Sequence, residues 1–515
     1  MTAPASTDHD WHPLGLAQHG VWLDTLLLAD PAAYRVATTL RVRAPLDVAT
    51  LRAATDALVA DHEALRLRID ADQPRQRIAA TTDAFLLTDL AAADALDAHL
   101  AAAMRQGFPL GDAALFRVEA IRIAPADWCI QIAAHHLICD GVSMAMLEGA
   151  WTAHYDRLAG RSVARPPLSA SGIVAGIADD QAYAASPAID ADLAYWRDRM
   201  TPLPALAFGD RPAADTGGDG PPPLVIAPDR YAAIAAAART MATTPHRVLV
   251  AVAGIALARR SGHDDIAIGM ALHGREPAMM NAVGMFARMI PVRCPARPGA
   301  TLSDTVKAIT AGIDADLRHA RLPIDRLGRE LGLAAQGRLH LFDAAVTIMP
   351  WLGDAAEPTL AGAAIGHPAS AKHETTPLSF YMRETVEGGM TIAFGFARER
   401  LGGAEVARIA DRFDAILKRL CERPATKLSA LSPLTPTEAR AIETFVRGRT
   451  LAIPDGTALD RFAAQVAATP DEIAVIDAEG MLDYAALDAR ATRLAIRLVA
   501  AGVAPGAIVA VALDR

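Results

Sequence analysis

The chain has 515 residues, with 50 Lys and Arg against 59 Asp and Glu, for a formal net charge of −9. At roughly 100–200 residues per domain, this length predicts about three or four domains. The acidic balance excludes a nucleic-acid surface, which needs an excess of basic side chains. Hydrophobic residues make up 52%, largely through Ala, but the longest apolar run, Val248 to Ala258, is closed by Arg247 and Arg259. It is far shorter than the ~18 residues that suggest a membrane span.

The first residues show no basic segment followed by an apolar one, so no secretory signal is expected. Cys129, Cys139, Cys294 and Cys421 lack the spacing of a disulfide framework or a metal site, which fits a reducing cytoplasm.

From Asp47 to Leu65, apolar residues recur at helical spacing (Val48, Leu51, Ala54, Leu58, Leu65), with Asp47 as the N-cap. Leu65 to Ile69 alternates and predicts a strand. Phe116 to Ala120 alternates too, and the turn-like Ala124 to Asp127 comes next. A second strand is predicted from Trp128 to His136. Its even positions, Trp128, Ile130, Ile132, Ala134 and His136, share one face, and His135 lies on the other.

A helix is expected to start near Ser143 and run through Leu147 and Trp151. Residues 161–186, rich in Pro, Ser, Gly and Ala, read as an inter-lobe connection, and residues 210–223 as a second loop. Helices are predicted next at Tyr231–Thr243 and Arg247–Arg259. Strands are predicted at Asp265–Met270 and Arg288–Arg293, then a late helix at Gly403–Leu420. Residues 424–436 read as a Pro-, Ser- and Thr-bearing linker, and a new alternation begins near Asp460. The chain is therefore expected to mix helices and strands in more than one domain.

The most informative string is His135-His136-Leu137-Ile138-Cys139-Asp140-Gly141. Two His end a buried strand, and Asp-Gly makes a turn before a helix. A neutral imidazole at such a junction can accept a proton or hold a polar hydrogen. A buried Asp140 needs a cation or several donors, and Gly141 permits the turn. One metal ion cannot easily use both His, because neighbours on a strand point to opposite faces. A Ser-His-Asp triad lacks its Gly-x-Ser-x-Gly elbow. No metal is expected.

These residues resemble the condensation domains of non-ribosomal peptide synthetases, whose signature is His-His-x-x-x-Asp-Gly. Ala17-Gln18-His19-Gly20-Val21-Trp22 is similar to the first family motif, and His62-Glu63-Ala64-Leu65-Arg66 to the second. Asp265 to Gly269, His273-Gly274-Arg275 and Val283 to Arg293 resemble the block that ends in Phe-Val-Asn-Thr-x-Pro-x-Arg. His319 to Ile324 resembles the sixth motif, and Leu341-Phe342-Asp343 and Pro377-Leu378-Ser379 come after it in order. The resemblance covers about residues 12 to 420.

The resemblance implies an α/β (α+β) fold of two chloramphenicol-acetyltransferase-like lobes, a V-shaped pseudo-dimer with a central channel. Residues 1–175 would form the N-terminal lobe and 176–423 the C-terminal lobe. It also implies the reaction: the amine of a carrier-bound aminoacyl thioester attacks a donor acyl thioester, and an amide forms. His136 is then the catalytic residue, either as a base or by positioning the amine and stabilising the tetrahedral intermediate. His135 and Gly141 shape the loop, and Asp140 forms a structural ion pair with Arg66. Arg288 stands where the family usually has Asn. It is expected either to be satisfied by a local carboxylate or to contact the substrate or a carrier-arm phosphate. Ser379 is the second candidate channel residue. No covalent cofactor is implied. Substrates arrive as phosphopantetheine thioesters or acyl-CoA, and the partners are carrier-protein domains and the adenylation domain of the same synthetase.

The resemblance begins within about a dozen residues of Met1, and the first motif has the Gly-aliphatic-Trp form. Both are similar to starter domains, which N-acylate the first amino acid of a lipopeptide from acyl-CoA or an acyl-carrier donor. The alternatives are an internal peptidyl condensation domain and a catalytically inactive recruitment domain of the same fold. Cyclisation domains carry an Asp-x-x-x-x-Asp pattern that this site lacks, and epimerisation domains come after a carrier domain. After a linker at 424–458, residues 459–515 resemble the N-terminus of an adenylation domain. Phe462, Thr469-Pro470-Asp471, Leu482-Asp483-Tyr484 and Pro505-Gly506 carry that likeness. The chain stops before any phosphate-binding loop, so no amino-acid activation is expected, and it reads as a piece of a longer cytoplasmic synthetase.

Overall fold

A computed structural model describes residues 11–28, 30, 32–163, 173–209, 217–349, 359–367, 374, 376–432, 434, 436–447, 455–478 and 480–512. The chain divides into two compact units, Met1–Thr435 and Pro436–Arg515.

The first unit is built on two six-stranded mixed sheets. One runs, edge to edge, Thr359–Leu360, Ala363–Gly366, Arg35–Val42, Asp127–His135, Phe116–Ala124 and Phe85–Asp89. The other runs Arg288–Pro295, Asp265–Leu272, Ala344–Met349, Leu378–Glu384, Met390–Phe396 and Leu224–Ile226. Most neighbours are antiparallel. Phe85–Asp89 pairs parallel to its neighbour, as Ala344–Met349 does to both of its neighbours.

The alternation in Asp127–His135 comes from its setting. Trp128, Ile130, Ile132 and Ala134 enter the first core, against the helices Val48–Asp61 and Gly141–Leu158. Cys129, on the reverse face, joins a small cluster with Leu96, Leu100 and Ile121. The strand ends at His135 rather than His136, so His136 leaves the sheet. Asp47 caps its helix as expected, accepting the Thr50 N–H at 2.7 Å. The strand expected from Leu65 starts at Leu67, because residues 63–66 form a 3₁₀ turn.

The long apolar run lies in the helix Pro245–Ser261, and Val248 through Ala258 are all buried in the second core. The helices Leu302–Asp316 and Gly403–Glu422 pack beside it. A helix that is apolar all round is a core helix. Among the described residues, no single helix is long and apolar enough to cross a membrane.

Two connections differ from their sequence reading, and part of a third lies outside the described residues. The 161–186 segment contains the helix Ile173–Ala184, while residues 164–172 lie outside the described set. Part of the second expected loop, 210–216, also lies outside it. The start of the expected 424–458 linker is packed chain. The Leu302 and Ser303 N–H groups, free at a helix start, donate to Thr426 and Pro424 at 2.8 and 2.9 Å, and Leu428 is buried. Further on, residues 436–447 form the helix Pro436–Arg447.

The strand Ala363–Gly366 was not anticipated. It pairs antiparallel with Arg35–Val42, Ile365 opposite Val42 and Gly366 opposite Arg41. The first sheet is thus completed by chain from between two strands of the second.

The second unit contains the helices Pro436–Arg447, Ala458–Ala468 and Tyr484–Ala500 and the hairpin Ile473–Asp477/Gly480–Asp483. Thr457 and Asp460 cap the second of these helices reciprocally.

Candidate active site

The His135–Gly141 turn is held at both ends. At its start the His136 N–H donates to the Tyr34 carbonyl at 2.7 Å, and the His135 N–H to the Leu115 carbonyl at 2.8 Å. The Leu137 N–H donates to His135 Nδ1 at 3.1 Å. That bond makes Nδ1 an acceptor and gives His135 a neutral ring. Burial holds its pKa down to about 3, with His136 adding to the effect. His135 therefore shapes the turn and is not a proton carrier near neutral pH.

Gln18, from the first motif, braces the same turn. Its Nε2 donates to the Leu137 carbonyl at 2.8 Å, and its side chain pairs with Gln76.

His136 is enclosed deep in the protein, yet part of its surface stays open. Burial lowers its pKa, while the Asp140 carboxylate and its own backbone carbonyl act in the opposite sense. Its Nδ1 is buried and has no hydrogen-bond partner among the described residues. The Tyr34 ring stands edge-on to the imidazole, with centroids 6.4 Å apart. The result is a neutral imidazole whose backbone is fixed by hydrogen bonds.

At the far end of the turn, Asp140 is the N-cap of Gly141–Leu158, and its Oδ1 accepts the Ser143 N–H at 2.8 Å. Capping turns the carboxylate toward the loop between the first two strands of the second sheet. Arg275 of that loop meets it bidentately, Nη1 to Oδ2 at 2.8 Å and Nη2 to Oδ1 at 2.9 Å, with both side chains essentially sealed from solvent. The Phe286 and Ala287 N–H groups donate to Oδ2 at 3.1 and 3.2 Å. Ser143 Oγ donates to the Gly284 carbonyl, and accepts from the Gly284 N–H and from Arg275 Nη2. A sealed carboxylate is tolerated only with this number of donors.

The expected Asp140–Arg66 pair is therefore corrected. Arg66 ends the 3₁₀ turn 63–66, and its Nη1 donates to the carbonyls of Ala79 and Ala80 at 3.2 and 3.5 Å. The carboxylate is aimed by its capping role at the other lobe, where Arg275 supplies the cation. Arg275 belongs to the His273-Gly274-Arg275 string, but nothing local links it to Asp140. Gly274 beside it has φ +61°, and an added Cβ would overlap the Phe286 carbonyl oxygen.

Arg288 begins the edge strand Arg288–Pro295. A carboxylate is indeed nearby: Asp180 Oδ1 lies 3.6 Å from its Nη2. Ser379 is buried on the strand Leu378–Glu384, on the face opposite the second core. There it lies beside Tyr381, whose hydroxyl donates to Glu374 at 2.8 Å. Among the described residues, no hydrogen bond joins Ser379 or Arg288 to the His136 turn.

The family described as the condensation domain matches residues 9–443. A probable non-canonical non-ribosomal peptide synthetase, CymA, of Salinispora arenicola is 29% identical over 98% of this chain and 7% of its own length. The chain thus spans a small part of that relative. Two crystal structures share the fold with a TM-score of 0.69 and 23% identity. The starter condensation domain of the rhizomide synthetase RzmA, a single-substitution mutant in complex with C8-CoA, aligns over 82% of this chain and 98% of its own. The X-domain from teicoplanin biosynthesis aligns over 83% and 99%.

Proposed function

Since the chain belongs to the condensation-domain family, whose two chloramphenicol-acetyltransferase-like lobes form amide bonds in non-ribosomal peptide synthesis, we propose that it is a starter domain that N-acylates the first amino acid of a lipopeptide. The observation that carries amide formation is the enclosed, neutral His136 on a turn locked by Asp140. The amine nitrogen of the carrier-bound aminoacyl thioester attacks the donor thioester carbonyl. The C–S bond breaks, the thiol leaves, and the amine gives up a proton. His136 either takes that proton or holds the amine while the tetrahedral intermediate forms. An α-amine has a pKa near ~8 and needs little activation, so positioning supplies much of the acceleration.

The starter reading is supported by Gly20-Val21-Trp22. Trp22 is packed, and its Nε1 donates to the Asp70 carbonyl at 2.9 Å, whereas an added Cβ on Gly20 meets nothing within 4 Å. Packing does not require that glycine, so it is the likeness of the motif, not the fold around it, that bears on the subtype. Likeness to the rhizomide starter domain agrees, although the teicoplanin X-domain is equally similar in fold. The intact His136 and Asp140 speak against an inactive recruitment domain.

The other parts of the reading are proposals of the same kind. The donor is acyl-CoA or an acyl carrier, the acceptor sits on a carrier domain, and the site of action is the cytoplasm. The two lobes are about residues 1–175 and 176–423, with their boundary near the helix Ile173–Ala184, the linker begins only after the packed stretch around Leu428, and 459–515 is the beginning of an adenylation domain. Incubation with acyl-CoAs of varied length and an aminoacyl-loaded carrier tests the function, read by mass spectrometry of the carrier. N-acyl product is expected. Turnover of a peptidyl carrier, with no N-acyl product at any chain length, would instead establish an internal condensation domain.

A further inference from the structure

Two cavities lie along one face of the helix Ile173–Ala184. The outer one, about 190 Å³, is lined by Leu16, Ala184 and Pro323 among others. The inner one, about 20 Å³, is lined by Ala17, Gly176, Asp180, Phe286 and Arg288 among others. Gly176, Asp180 and Ala184 are spaced four apart, so one helix face borders both. Leu16 and Ala17, at the start of the helix Leu16–Leu27, line the outer and the inner cavity respectively. Phe286, at the inner end, is the residue whose N–H is bonded to Asp140. The inner cavity holds about one water. The unbranched side chains of Met279 and Met285 on its wall can move to widen it.

Arg288 differs from the other enclosed arginines of this lobe. Arg275 and Arg293 are each held by several hydrogen bonds. Arg288 makes none among the described residues, and its nearest carboxylate oxygen, at 3.6 Å, is beyond hydrogen-bond range. Asp180 is otherwise engaged, its Oδ2 accepting the Leu16 N–H at 2.8 Å. Arg321 pairs with Asp179 at 2.7 Å. A planar guanidinium with five donors thus lines the inner cavity, with one carboxylate in ion-pair range but no hydrogen bond among the described residues.

The charges nearby decide which acceptor it takes. Asp179, Asp180 and Glu276 line the same cavity. Arg321 offsets one of these charges through Asp179, so three carboxylates face two guanidinia and the surroundings stay net negative, which disfavours a phosphate and favours a neutral carbonyl oxygen that needs a strong donor but brings no charge.

We propose that Arg288 binds an amide carbonyl of the pantetheine arm that carries the substrate, and not its phosphate. The assignment rests on the condensation reading and adds to it a recognition residue on the strand Arg288–Pro295. One charge-assisted hydrogen bond in an enclosed groove corresponds to about a 10-fold change in affinity.

The test is equilibrium binding of two probes, pantetheine and 4′-phosphopantetheine, to the full chain. Wild type is compared with Arg288→Ala and Arg288→Gln, and thermal melting confirms that the variants are folded. Wild type is expected to bind both probes with similar affinity. Arg288→Ala should weaken both about 10-fold, and Arg288→Gln, which keeps a neutral donor, should weaken them less. Equal binding by Arg288→Ala and wild type would overturn the proposal. So would weakening confined to 4′-phosphopantetheine, or failure of wild type to bind either probe. None of these results depends on turnover, so the condensation reading stands or falls separately, on the N-acylation assay.

Discussion

Removing Arg275 leaves the Asp140 carboxylate sealed in the protein with three backbone N–H donors and no cation. Breaking a buried pair from one side costs about 3–5 kcal/mol. Unfolding entropy near 2.1 cal/mol/K per residue gives a unit spanning Met1–Thr435 about 0.9 kcal/mol/K if it melts as one body. Arg275→Met should therefore lower Tm by about 4 °C. Arg66→Ala, which removes bonds to two carbonyls near the surface, should cost about 1 kcal/mol and about 1 °C. The decisive assay is a pair of double-mutant cycles by urea unfolding. Asp140→Asn with Arg275→Met should show coupling of roughly 2 kcal/mol or more, and Asp140→Asn with Arg66→Ala should show almost none. Amide formation should fall in Arg275→Met along with stability, because the His136 turn loses its far anchor. Additivity in the Arg275 cycle, or strong coupling in the Arg66 cycle, would refute the reasoning.

His136→Ala should reduce amide formation by about 10²–10⁴-fold, with a Tm loss limited to the packing of the truncated ring because its Nδ1 makes no hydrogen bond to lose; turnover and melting on one preparation check both. His135 binds no proton until about pH 3 when folded, but does so near 6.5 when unfolded. Stability should therefore fall as pH drops from about 6.5 toward 3, and His135→Asn should flatten that slope in urea midpoints measured against pH. His367 has the opposite sign: its hydrogen bond to Glu148 raises its pKa, so the stability it contributes is full below about 6.5 and lost as pH rises through the folded value. Comparing His367→Gln with wild type between pH 6 and 9 reads this out as a difference that shrinks as pH rises. Gly274→Ala should destabilise more than a surface Gly→Ala change such as Gly299→Ala, whose added Cβ meets nothing within 4 Å.

Local chemistry made part of this site readable. The period-2 run from Trp128, the turn at Asp140-Gly141 and the helix after it depend on neighbouring residues, and they appear within a residue or two of their expected places. The cation for Asp140 was different. Arg66 and Arg275 are both arginines in motif strings, and only tertiary packing, across a sequence separation of 135 from Asp140 to Arg275, distinguishes them. Arg35–Val42 escaped notice because Ala37, Thr38 and Thr39 interrupt its apolar alternation. Its place in the sheet comes from pairing with Asp127–His135 and Ala363–Gly366 rather than from its own pattern. Reading 161–186 and 424–436 as connections relied on Pro and Gly content. That content does not reveal that Asp180 caps a helix start or that Thr426 accepts a bond from one.

The crossover strand sets an order on the birth of the protein. Val42 leaves the ribosome more than 300 residues ahead of Ile365, its sheet partner. At about 5–20 residues per second, that gap lasts roughly 15–60 s. Throughout it, the nascent first lobe presents the Arg35–Val42 edge unpaired, an open template for any other extended chain. The second lobe must be largely synthesised before the first can close. The first lobe is therefore not a self-sufficient folding unit, and splitting the chain between the lobes should yield an aggregation-prone N-terminal half that a separately supplied Thr359–Gly366 segment could quiet.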